Sequence, residues 1–164
     1  MNSSFELLKE WELTIPDVFK KYSLGDNTDS IVDVKQLKPV FSFDYISLRN
    51  TQFCFNGKTL GRSDYKKLIT ALKDISKYTY EELSNNKKFH FHDIKWEDVT
   101  ISSSDFHKCV YGNLYKGEDD ITPYQIKVFD KSRIIGFLYK SVFYLVMFDI
   151  GHNAYPRKDN KKRK

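Results

Sequence analysis

Three apolar runs late in the chain, Tyr124–Phe129, Arg133–Leu138 and Val142–Phe148, are separated only by Asp130-Lys-Ser132 and Tyr139-Lys-Ser141. Each run is strand-sized and rich in Ile, Val, Phe and Tyr, side chains that pack well on a pleated surface. Connections this short suit hairpins, whereas parallel neighbours need a crossover of a dozen residues or more. An antiparallel meander is therefore expected at this end of the chain.

Two consecutive helices are expected before it. In Ser63–Lys77, Tyr65, Leu68, Ile69, Leu72 and Ile75 or Tyr78 recur on one face, with Lys66, Lys67, Lys73 and Asp74 elsewhere. Ser63 is the expected N-cap, with Asp64 in the first turn. Thr79-Tyr-Glu-Glu82 has the spacing of a capping box and should open a shorter helix, Tyr80–Asn85. Helices grouped together and strands grouped together indicate an α+β fold, not an alternating α/β one.

The remaining segments carry weaker signals. Ser3/Ser4 can cap a short helix through Glu10, Pro16 can open another over Asp17–Tyr22, and Leu24–Ser30 has loop composition. Val40–Ile46 and Gln52–Phe55 read as strands, followed by a tight turn at Asn56-Gly57. Phe89–Ile94 alternates and suits a strand or an extended crossing. Ser103–Tyr111 suits a helical turn, and Gly117–Asp120 a solvated loop. The domain organisation expected is an N-terminal extension 1–38, an α+β domain 39–156 and a flexible basic tail 157–164.

The charge has a simple distribution. Residues 157–164 hold six Lys/Arg and one Asp, and the 21 basic and 21 acidic residues of 1–156 cancel. The net charge of +5 thus belongs to the tail, which would attract a polyanion without defining a specific site. No apolar run approaches the roughly 20 residues of a membrane-spanning helix, so no membrane is expected as a partner. The first residues lack the basic and apolar regions of a signal peptide. Cys54 and Cys109 are too few for a disulfide framework, which points to reduced thiols and a cytoplasmic location. There is no GxxxxGK[ST] loop, GxGxxG turn or GxSxG elbow, so the chain offers no support for nucleotide hydrolysis, dinucleotide redox chemistry or α/β-hydrolase chemistry.

Several side chains suit chemistry on a phosphodiester, each with a purely structural alternative. His152 follows a strand and Gly151, at a sheet rim where an imidazole can act as general acid or base, or merely hydrogen-bond its loop. Tyr155 can position a phosphate, stack on a base, or anchor the chain end. Arg133 can hold a phosphate through paired hydrogen bonds, or be a solvated charge at a strand end. His90 and His92, two apart, would share one face of a strand. They suit acid–base chemistry, zinc with His107 or Cys109, or ordinary partial burial; without CxxC or HExxH spacing no metal or other cofactor is expected. Lys87, Lys88 and Lys95 bracket that segment and can line a groove for RNA together with Arg157 and Lys158 of the tail, or be ordinary surface lysines.

Arg133-Ile-Ile-Gly136-Phe, the strand Val142–Asp149 and the ending His152-Asn-Ala-Tyr155-Pro156, together with the helix pair, resemble the RelE/ParE superfamily of small bacterial toxins. Within it, the chain is similar to RelE-like proteins of unassigned activity whose last strand runs into a D-x-x-H-x-x-Y-P ending. The resemblance covers about Pro39 to Pro156. It implies a twisted antiparallel sheet packed on two helices. It also implies a toxin–antitoxin function: a metal-independent endoribonuclease in which the RNA 2′-OH attacks its own phosphate. Arg133, His152 and Tyr155, with His92 as a further candidate, would be the catalytic residues. The implied partners are RNA, ribosome-associated mRNA included, and a cognate antitoxin protein. The alternative is a non-catalytic protein on the same fold, such as a gyrase-type poison or a phage or defence accessory protein, which the neutral body favours. A plain nucleic-acid-binding domain using exposed aromatics is a third reading.

Overall fold

A computed structural model describes residues 34–49, 52–112, 117 and 121–155. The chain divides into two compact units at Val32/Asp33, and all described residues belong to the second. The expected helices near Ser3 and Pro16, the loop Leu24–Ser30 and the basic tail lie outside the described residues.

The fold is α+β. Along the chain come β1 (Val40–Ser42), α1 (Arg62–Ile75), α2 (Tyr80–Asn85), β2 (His92–Asp93), α3 (Ser103–Tyr111), β3 (Pro123–Lys127), β4 (Arg133–Tyr139) and β5 (Val142–Asp149), with short 3-10 turns at Val34–Gln36 and Trp96–Asp98. They build one five-stranded sheet in the order β1-β5-β4-β3-β2. The expected meander is present: β3–β4 and β4–β5 pair antiparallel, as does the edge strand β2 with β3. The sheet as a whole is mixed and not antiparallel throughout, because β1 pairs parallel to β5, Val40 opposite Val142. The helical passage between them supplies the long crossover that a parallel pair requires.

Helix α1 begins one residue before Ser63. The expected cap there is displaced to Gly61, whose N–H donates to the Asp64 carboxylate three residues on (2.9 Å). Leu68, Leu72 and Ile75 enter the core, while Tyr65 and Ile69 flank that stripe and stay exposed. Helix α2 starts as its capping box requires: Glu82 N–H donates to Thr79 Oγ1 (3.2 Å) and Thr79 N–H to the Glu82 carboxylate (2.7 Å). Residues 34–37 pack on α2, with Tyr80 N–H donating to Leu37 O (3.0 Å).

Two expected strands are shorter or absent. β1 stops at Ser42, whose hydroxyl accepts from Asp44 N–H (3.3 Å) and starts a turn. Gln52–Phe55 forms no ladder. It touches β5 through Phe148 N–H to Phe53 O (3.0 Å), and its aromatic rings serve burial: Phe55 stacks on Phe148 with centroids 5.4 Å apart. The alternation of Phe89–Ile94 does separate inside from outside, with Phe89 and Phe91 buried and His90 and His92 exposed. Only His92–Asp93 is paired as strand.

Sheet parity decides which side chains meet. Ile126, Ile134 and Phe148 face α1 and α2 and join Leu68, Leu72 and Leu83 in the main core. Between Ile135 and Gly136 the register with β5 slips by one residue, a bulge that lets Phe143 and Leu145 share the core face with Phe148. Gly136 is required at this point, since a Cβ there would fall 1.9 Å from Tyr144 O. The opposite face carries Phe137 stacked on Tyr144 (4.8 Å), with Tyr45 against both, and then grows polar toward the β3–β4 turn.

Candidate functional site

The polar end of that second face is built by register. Lys127 of β3 pairs with Arg133 of β4, and Arg133 pairs with Asp149 of β5. One row further in, Gln125 pairs with both His92 and Ile135. Since alternate strand residues share a face, these rows are neighbours on the side away from α1 and α2. On the β2 side, Lys127 N–H donates to Phe89 O (2.6 Å), which sets His90 beside the Lys127–Arg133 row.

On the other side, the chain after β5 folds around Asp149. Its carboxylate, 1% exposed, accepts from Asn153 N–H and Ala154 N–H, both at 2.8 Å. Ser132 hydroxyl donates to Ile150 O (2.8 Å), and Thr100 N–H to Ala154 O (2.6 Å). The loop is thus pinned from the β3–β4 turn and from the segment before α3. It presents His152 at φ +55 and Tyr155, with ring centroids 5.3 Å apart. His90 also has positive φ, +44. Such a conformation costs a non-glycine residue roughly 1–2 kcal/mol.

Arg133 is only 6% exposed. It is neither a solvated strand-end charge nor an open fork. Its Nη1 donates to Lys131 O (3.0 Å) and Ser132 O (3.1 Å), and its Nε is buried without a partner. Among the described residues no carboxylate forms an ion pair with it; Asp149 lies in its electrostatic neighbourhood but spends both oxygens on the loop. Burial draws the guanidinium below its usual range, opposed by Asp149 and Tyr155. Its charge acts from beneath the rim.

The neighbouring groups respond to this charge. Burial and then Arg133 hold His152 below the ordinary histidine value, against the pull of Asp149, with Lys131 and Lys127 adding to the depression. His90 is lowered by desolvation, then by Arg133, Lys127, His92 and His152. Both rings are neutral near pH 7 and able to take a proton. Burial raises the Tyr155 phenol, as do Asp98 and Asp93, against Arg133, so it remains a donor.

Of the sequence-predicted residues, Arg133, His152 and Tyr155 are therefore brought together. His92 stands in the adjoining row with both ring nitrogens engaged: Nδ1–H donates to Asp93 O (2.5 Å), and Nε2 accepts from the Gln125 amide (2.8 Å). Lys88 turns toward α1, where its Nζ meets Asp74 (3.5 Å), and Lys87 lines a depression beside Glu81 and Glu82 of α2. Lys95 is exposed ahead of the Trp96 turn. Arg157 and Lys158 lie outside the described residues. Lys127 is the rim group that the sequence-derived site omits, and His90, read from the sequence with His92 as suited to acid–base chemistry or zinc but not among the expected catalytic residues, joins it. The phase of β3, in which Lys127 falls two residues from Gln125 and opposite Arg133, is the signal for the first.

The zinc alternative has no set of ligands behind it: among the described residues no three His, Cys, Asp or Glu are grouped to hold a metal ion. His107 is a core residue, accepting at Nε2 from Ile121 N–H (3.3 Å) with Nδ1 against Ser103 O (2.7 Å). A cleft of about 610 Å³ beside α3 includes Ser47, Arg49, Asp105 and Cys109, but burial pushes the Cys109 thiol up, away from nucleophilic character. Among the described residues no helix is long and apolar enough to cross a membrane.

Residues 50–164, which include α1 through β5 and every residue of the rim, match a family model described as "Uncharacterised protein UU032". The chain belongs to this UU032 family. Neither the curated proteins nor the solved structures offer a match to this chain.

Proposed function

We propose that this UU032-family chain is a RelE-like, metal-independent endoribonuclease that cleaves RNA by attack of the 2′-OH on the adjacent phosphorus. The observation that carries the reading is the convergence of Arg133, His152 and Tyr155 on one rim, around a buried guanidinium with no carboxylate salt-bridged to it. A buried cation whose neighbouring carboxylate, Asp149, spends both oxygens on loop N–H groups favours an anion arriving from outside. In this reading Arg133 and Lys127 stabilise charge on the phosphate, His152 transfers a proton, and the Tyr155 phenol donates to a phosphate oxygen. The tail at 157–164 raises local RNA affinity. The helix pair followed by the β3–β5 meander agrees with the layout that the RelE/ParE resemblance implies. A cognate antitoxin and a cytoplasmic location belong to the same proposal.

The test is incubation of the purified chain with end-labelled RNA in EDTA. Cleavage to 2′,3′-cyclic phosphate ends is expected, reduced about 100-fold or more in His152→Ala. Expression should arrest growth only while cleavage is intact. A second reading, a non-catalytic toxin-fold interaction protein, draws on the Nη1 bonds of Arg133 to its own β3–β4 turn, which give that residue a structural task. RNA binding without cleavage, or arrest that survives His152→Ala, selects it.

A further inference from the structure

We propose that His90 is a second catalytic residue of this rim, taking the proton of the attacking 2′-OH while His152 delivers one to the leaving 5′-oxygen. The inference rests on the ribonuclease reading and assigns its two proton transfers.

The register supplies the geometry. His90 lies beside Lys127 on the β2 side, and His152 comes off the Asp149 loop on the β5 side. The two imidazoles therefore flank the Lys127–Arg133 cation pair. In-line displacement at phosphorus needs this order: an acceptor on one side, positive charge at the centre, a donor on the other. His90 is exposed, and no described hydrogen bond engages its ring. His92, the other histidine of the segment, has both nitrogens occupied. Both His90 and His152 lie outside the strands and have a left-handed backbone.

The surroundings divide the roles. The charged and titratable groups around His90 are Arg133, Lys127, His92 and His152, and none is acidic, so the ring stays unprotonated and acts as the base. Around His152 are Arg133, Asp149, Lys131 and Lys127; burial and Arg133 hold this ring low as well, but Asp149 is the one acidic group among the charges acting on either imidazole, which assigns the proton delivery to the small protonated fraction of His152. The step then balances. The 2′-O–H proton passes to His90, O2′–P forms as P–O5′ breaks, and the leaving electron pair on O5′ takes the proton of His152. The products are a 2′,3′-cyclic phosphate and a free 5′-OH, and solvent exchange restores both rings.

The full chain and its His90→Asn and His152→Asn variants should be assayed on uridylyl-adenosine and on uridine 3′-(4-nitrophenyl phosphate). Asn accepts positive φ readily, so both exchanges respect the backbone. The 4-nitrophenolate ion leaves without needing an acid. His90→Asn should lose about 100-fold or more on both substrates, together with the acid limb of the kcat/KM profile. His152→Asn should lose as much on the dinucleotide yet stay within about 10-fold of wild type on the aryl ester. Wild-type rates in His90→Asn, or an aryl ester spared by His90→Asn, overturn the inference and leave the ribonuclease reading standing. A wild-type chain inert toward both substrates and toward long RNA overturns both.

Discussion

The two ends of the sheet's second face make a useful contrast. At the β4–β5 turn end, Phe137, Tyr144 and Tyr45 close the surface with aromatic rings. At the β3–β4 turn end the same strands carry Lys127, Arg133 and Asp149, bordered by His90, His152 and Tyr155. The first end is stabilised by burial of apolar area and ring stacking, which is non-directional and tolerant. The second holds a cation and a carboxylate inside the protein and needs every hydrogen bond it makes. Rings seal one end of this face, and the other gathers a guanidinium, a carboxylate and two imidazoles.

Substitutions at the two ends should separate stability from activity. Phe137→Ala removes a ring 2% exposed and stacked on Tyr144, and should lower unfolding free energy by about 4 kcal/mol in a urea titration. Cleavage per folded molecule should be unchanged; a loss of activity in the folded fraction would erase the contrast. Asp149→Asn keeps the shape but turns an amide NH₂ toward one of the two loop N–H donors, Asn153 or Ala154. It should cost about 2 kcal/mol and also abolish cleavage, because the loop carrying His152 is released. Full activity in that variant would detach the loop from the chemistry.

The smallest effect is on pH. His90 and His152 have folded-state values below the ordinary 6.5, so the unfolded chain binds more protons as pH falls past that point. Stability is complete above about pH 7 and declines below 6.5 until both rings are charged. Since both rings reach solvent, the decline should stay under about 1 kcal/mol. Urea midpoints at pH 7 and pH 5 should differ less in a His90→Asn/His152→Asn double variant than in wild type; an equal difference would place the titrating groups elsewhere.

What was legible in the sequence was local. The capping box at Thr79 announced α2 because both of its hydrogen bonds lie within four residues. The meander was legible because β3, β4 and β5 follow one another through short turns. The parallel β1–β5 pair had no local signal: three residues find a partner on the far side of α1, α2 and α3. Gln52–Phe55 was misleading because aromatic richness marks burial as well as strand pairing. At the rim, Arg133, His152 and Tyr155 could be named because the β4–β5 hairpin returns the chain beside its own start. The burial of Arg133 could not, since it depends on carbonyls of the β3–β4 turn and on the Asp149 loop. His90 was named as an acid–base candidate, but its place beside Lys127, and Lys127 itself, needed the β2–β3 register, which a two-residue strand hardly advertises.

The β1–β5 pairing bears on how the chain is made. Val40 must wait for Val142, about 100 residues later, before its ladder can close. During synthesis α1 and α2 can gather Phe55, Phe89 and Phe91 into a cluster, but the sheet that should cover them is complete only when β5 has emerged. That interval exposes an aromatic-rich surface, and closing so long a loop gives the domain a slow, late step. Residues that assemble the rim belong to this last step, so the site should form at the end of folding and not at its beginning.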